Sequence, residues 1–103
     1  MKKFLLMLGL CKKAGALIIG TPLVTDSLPK GKVKAVLLAS DASANTEKRV
    51  TDKCTFYKTT LIKASLSSVE IADAIGKSGA VCTLGITDEN FSSQLIKLIE
   101  EMR

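Results

Sequence analysis

Five apolar residues in a row, Ala35-Val36-Leu37-Leu38-Ala39, stand between Lys34 and Ser40. A strand with one wet face alternates apolar and polar side chains, so a run without alternation belongs in a sheet covered on both faces. The flanking segments can supply the cover. Phe4, Met7, Leu8 and Cys11 recur at i, i+3, i+4 and i+7, which predicts an amphipathic helix to about Ala14, stopped by Gly15. Leu17-Ile18-Ile19 then reads as a short buried strand. Thr21 is expected to N-cap the next helix with Pro22 at its first position, and Pro29 and Gly31 end it.

Beyond a loop at Ser40-Asp41-Ala42-Ser43-Ala44, Asn45 is expected to cap a polar helix with Glu47 in its first turn and Val50, Cys54 and Tyr57 on its inner face. Thr59-Thr60-Leu61-Ile62 follows as a third strand. Ser67-Ser68-Val69-Glu70 is a capping box, with Leu66 and Ile71 at the two positions of a hydrophobic staple. That helix should reach Ile75 and stop at Gly76. A fourth strand is expected at Ala80 to Ile86, and a last helix from Asp88 carries Phe91, Leu95, Leu98 and Met102. Helix and strand alternate through all 103 residues without a linker or repeat, which predicts one domain, an α/β/α sandwich.

Little of this chain suits catalysis. It has no His, and its three cysteines form no C-x-x-C pair, so no metal, cofactor or small-molecule substrate is expected. Asp88-Glu89 and Glu100-Glu101 fall at helix ends or on solvated faces, and Asp41 is expected to organise a turn. Gly76-Lys77-Ser78-Gly79 follows a helix and precedes a strand, the reverse of the order a phosphate-cradling loop needs. Lys2-Lys3 precede a run too short for a membrane span, and Lys12-Lys13 follow at once without a cleavage site. A reducing cytoplasm and no membrane partner are the expectation.

Charge is more informative. Residues 1–63 carry 12 Lys/Arg against 4 Asp/Glu, whereas residues 64–103 carry 3 against 6. Lys12, Lys13, Lys30, Lys32 and Lys34 flank the Gly20 junction in sequence. Converging in space, they would make a basic rim beside a helix start, suited to a phosphate backbone. Aromatics are only 4% of the chain, so stacking platforms for single strands are not expected and structured RNA fits better.

With these segments placed, the chain resembles the kink-turn-binding ribosomal protein family of archaeal L-seven-Ae and eukaryotic L-thirty-e type, especially its small bacterial YlxQ-type members. The likeness runs through Leu8-Gly9-Leu10-Cys11-Lys12-Lys13-Ala14-Gly15, Gly20, Lys34 to Thr46, Thr51-Asp52-Lys53-Cys54 and Ala74-Ile75-Gly76-Lys77. It implies a three-layer α/β/α sandwich with a four-stranded mixed sheet, and structured RNA, ribosomal RNA among the candidates, as partner. In such proteins the helix after the glycine reads a kinked RNA with Asn, Glu and Lys. Here the glycine is Gly20, Thr21 is a familiar neighbour, and the three reading positions hold Pro22, Leu23 and Asp26. The loop that covers an extruded nucleotide falls on Gly76, Lys77, Ser78 and Gly79. The expectation is RNA binding with weakened kink-turn recognition. The rival is a protein-interaction module on the same fold, using Pro22, Leu23 and Val24 as an apolar patch.

Overall fold

The computed structural model describes residues 1–101. Met102, expected on the last helix, lies outside them. In chain order the elements are α1 (Lys2–Lys13), β1 (Leu17–Ile19), α2 (Thr21–Ser27), a turn of 3-10 helix (Leu28–Lys30), β2 (Ala35–Leu38), α3 (Ala44–Phe56), β3 (Thr60–Lys63), α4 (Ser68–Ala74), β4 (Thr83–Ile86) and α5 (Glu89–Glu101).

The strands form one sheet in the order β1-β4-β2-β3. β4 is antiparallel to both β1 and β2, and β2 is parallel to β3, so the sheet is mixed. The apolar run of β2 is interior, as its lack of alternation requires. Ala35, Leu37 and Ala39 pack into a core with α1, α4 and α5, while Val36 and Leu38 pack into a second core with α2 and α3. Both faces are therefore dry, and the molecule is a three-layer α/β/α sandwich. α1 and α4 approach closely at Gly9, where a Cβ would stand 3.3 Å from the Ala74 carbonyl oxygen.

Several helix and strand boundaries differ from the sequence expectation. Gly20, not Thr21, is the N-cap of α2, and Pro22 occupies the second position. Ser43, not Asn45, caps α3, because the Ser43 hydroxyl oxygen accepts the Thr46 N–H at 3.2 Å. β4 begins at Thr83 rather than Ala80, since the Val81 N–H turns away to the Ser68 carbonyl and leaves the ladder. β3 starts at Thr60 because the Thr59 N–H still donates to the Cys54 carbonyl at the end of α3. The capping box is as expected, with Ser67 and Glu70 each accepting the other's backbone N–H.

Candidate nucleic-acid interface

Strand directions sort the candidate residues between two ends of the sheet. The C-terminal ends of β1, β2 and β3 lie beside Thr83, where β4 begins; their starts lie beside Ile86. Four residues at about 3.3 Å each separate those ends by roughly 10 Å.

Gly20 lies at the Thr83 end. Its N–H donates to the Thr83 carbonyl at 3.0 Å, and its φ of 102° is a conformation that a side chain would strain. The turn sends α2 off at an angle fixed by a second bond, 2.8 Å between the hydroxyls of Thr21 and Thr83. Thr83 is fully buried, so Thr21 satisfies a hydroxyl that water cannot reach. Thr21 thus has a structural role. Past it, Pro22, Leu23 and Asp26 are exposed on α2, with Leu23 61% accessible, whereas Val24 is fully buried. The apolar patch expected at Pro22, Leu23 and Val24 therefore loses Val24 to the core.

Gly76, Lys77, Ser78 and Gly79 are exposed, and both glycines have positive φ, 72° and 86°. This segment leaves the C-terminus of α4 and returns alongside it to the Thr83 end through the Val81 N–H and the Ser68 carbonyl. Gly76 also lines a groove of about 540 Å³ between α1 and α4, together with Lys12 and Lys13. The groove brings Lys12 and Lys13 to Gly76, but α1 leads into β1 at the Ile86 end, where the Thr87 N–H donates to the Ala16 carbonyl at 2.9 Å.

Lys30, Lys32 and Lys34 do not join Gly20 either. The Lys34 N–H donates to the Ile86 carbonyl at 2.7 Å, which places this stretch at the opposite end of the sheet from Gly20. A single basic rim around the Gly20 junction, expected from sequence proximity, is not formed. Chain neighbours on either side of a short strand and helix are carried to different ends of the sheet.

The chemistry of the remaining polar groups is structural. Asp41 does more than shape its own turn: its two carboxylate oxygens accept the Ser68 N–H at 2.7 Å and the Ser68 hydroxyl at 2.9 Å. The backbone bond first, then the hydroxyl bond, holds its pKa below the ordinary 3.8. Burial pushes the thiols of Cys11 and Cys54 up to about 11, with the Asp88 carboxylate adding to the effect at Cys11. At neutral pH both are protonated and poorly nucleophilic.

One exposed group was missed. Phe56 is 76% accessible although few aromatics suggested no stacking surface. Its signal was in the periodicity: Val50, Cys54 and Tyr57 set the inner face of α3 at i, i+4 and i+7, and Phe56 is off that stripe.

Comparison with known proteins gives a consistent picture. A sequence model of the ribosomal protein L7Ae/L30e/S12e/Gadd45 family matches residues 2–96. The chain is 38% identical to the RNA-binding protein YlxQ of Bacillus subtilis (strain 168) over 91% of its own length and 92% of that protein's. It is 37% identical to the RNA-binding protein YlxQ of Enterococcus faecium, over 96% and 93% of the two lengths. A solved structure of a Bacillus halodurans protein of unknown function superposes with a TM-score of 0.90 at 34% identity, covering 95% of this chain and 97% of that one.

Proposed function

We propose that this chain, which belongs to the L7Ae/L30e/S12e/Gadd45 family of ribosomal proteins, binds structured RNA at the Thr83 end of its sheet and recognises kink-turns weakly. The observation that carries this role is the Thr21–Thr83 hydroxyl bond. It locks the start of α2 against the strand that returns from the 76–79 segment, giving one rigid surface with an exposed glycine-bounded flank. Relatives named as RNA-binding, similar along nearly the whole chain, support the same partner. Lys77 supplies a phosphate contact on the 76–79 side, and Lys12 and Lys13 extend the basic surface along the α1/α4 groove. Gly20 lets the backbone turn tightly beside the RNA, and Ser78 and Gly79 lie over an extruded nucleotide.

Weak kink-turn recognition follows from the exposed face of α2. Pro22 and Leu23 have no hydrogen-bonding side chain for a purine edge, and Asp26 opposes a phosphate. Titration of a kink-turn RNA, and of a control whose sheared purine pairs are replaced by Watson–Crick pairs, tests this. Asp26→Lys reverses a charge near a partly exposed phosphate and should tighten both RNAs by about tenfold. Adding Pro22→Asn and Leu23→Glu should widen the difference between them. Tight, selective binding by the parent would overturn the weakening. No binding by parent or triple variant at low salt would overturn the RNA role.

One observation favours a protein partner as a second reading. Leu23 is 61% exposed beside Pro22, and Leu6 and Leu10 project from α1 at 63% and 52%. Unlike an RNA contact, such a surface should bind with little salt dependence, which separates the two in a single titration.

A further inference from the structure

Among the described residues Phe56 is the most exposed large apolar side chain, on the last turn of the 13-residue α3. The half-buried ring of Tyr57, packed against the core beneath α2 and α3, meets it edge to face with centroids 4.8 Å apart and planes at 79°. Phe56 therefore has a fixed wall on one side and water on the other.

Its surroundings are basic. Lys53 lies one turn earlier on the same helix face, three residues before Phe56. Lys58 follows by two in a left-handed conformation, φ 54°, that reverses the chain into β3. The parallel register of Ala35 with Thr60 sets the entry to β3 beside the entry to β2. Lys58 consequently stands near the stretch that carries Lys32 and Lys34. That stretch is pinned: Val33 is buried between the two lysines, and the Lys34 N–H is bonded to β4. Both lysine side chains are exposed, and the Lys34 ammonium donates to the Gly31 carbonyl at 3.5 Å. The opposing acids of this layer are Asp52, four residues before Phe56, Asp26 on α2, and Glu47 in the first turn of α3, which pairs with Lys63 at 3.4 Å.

An accessible ring beside a row of lysines is the arrangement by which proteins hold unpaired nucleotides, with bases on the aromatic face and phosphates on the cations. We propose that this corner is a second RNA contact, in which Phe56 stacks on an unpaired base while Lys53, Lys58, Lys32 and Lys34 take the adjoining phosphates. It rests on the RNA role proposed above and extends it: a folded element held at the Thr83 end is bound together with the single strand that leaves it. The 13 residues of α3 span about 20 Å between the two contacts, a few nucleotides of extended strand.

The test uses a kink-turn RNA with and without a short run of unpaired adenosines at either end. The run should tighten binding by the parent about tenfold. Phe56→Ala should abolish that gain and bind the unextended RNA as the parent does. Lys32→Gln with Lys34→Gln should lower the salt dependence for the extended RNA alone. No gain from the run, a gain that survives Phe56→Ala, or an equal loss on both RNAs would overturn the proposal. Because the chain has no Trp, Phe56→Trp supplies a single tryptophan at the surface whose emission can be excited apart from that of Tyr57. If the unextended RNA is not bound at all, the function proposed above fails. Quenching of that reporter by unpaired adenosines alone would then still sustain this contact, and an unchanged emission would overturn it.

Discussion

At the residue scale the informative side chains are those whose hydrogen bonds join segments distant in sequence. Thr21 reaches Thr83 across 62 residues, and Asp41 reaches Ser68 across 27. Thr21→Val keeps the shape of Thr21 but leaves the buried Thr83 hydroxyl without a partner, at a cost of about 1–3 kcal/mol. Urea denaturation should show that loss and its recovery in Thr21→Ser; an unchanged midpoint for Thr21→Val would mean that water replaces the bond. Asp41 makes a pH-dependent contribution whose sign is set by its lowered pKa. The ionised form is favoured in the folded state, so stability is complete above the ordinary carboxylate pKa and lost as pH falls through the lowered one. Melting temperatures of the parent and Asp41→Asn should therefore differ near neutrality and converge in acid. A constant gap would assign the effect to packing. Local sequence carried neither partner, because both bonds exist only once the sheet has brought their residues together.

At the scale of elements, stability depends on caps and on the strand that both cores share. α4 has only seven residues, too few to persist alone, so its capping box and its packing must hold it. Ser67→Ala removes the acceptor for the Glu70 N–H and should cost about 1 kcal/mol. A chemical melt of that variant matching the parent would show that packing of Leu66 and Ile71 suffices. The capping box was legible because all of its atoms lie within four residues. The caps of α2 and α3 differ from the expectation, since Ser43, Asn45 and Thr46 compete at α3, Gly20 displaces Thr21 at α2, and only the turn geometry selects among them. The φ of Gly20 and the extended backbone of Ser43 make that selection. β2 was legible for a different reason: burial on both faces leaves no polar position in the run. Leu37 is fully buried, and Leu37→Asp would place an unpaired charge in the core shared with α1, α4 and α5, at a cost of several kcal/mol. A variant that melts like the parent would contradict the interior position of β2.

At the scale of the whole molecule, α2 and β2 divide what sequence proximity had grouped. Lys30, Lys32 and Lys34 follow Gly20 closely in the chain, yet α2 and the 3-10 turn carry them to the Ile86 end. Lys12 and Lys13 go with Gly76, on the α1/α4 side. The charge asymmetry of the chain was real, but its spatial meaning depended on strand direction. What the sequence determined by itself was local or periodic: the number and kind of elements, the covered sheet, the capping box, and an α2 face without hydrogen-bonding groups at Pro22 and Leu23. These follow from side-chain spacing within a few residues, where helix and strand periods act directly. What only the tertiary structure decided was which loops share an end of the sheet, that Thr21 satisfies Thr83, and that the entry to β3 beyond Phe56 lies beside the entry to β2. Those facts depend on strand order and register, which come from long-range packing of two cores against one sheet, and no short window of the chain contains them.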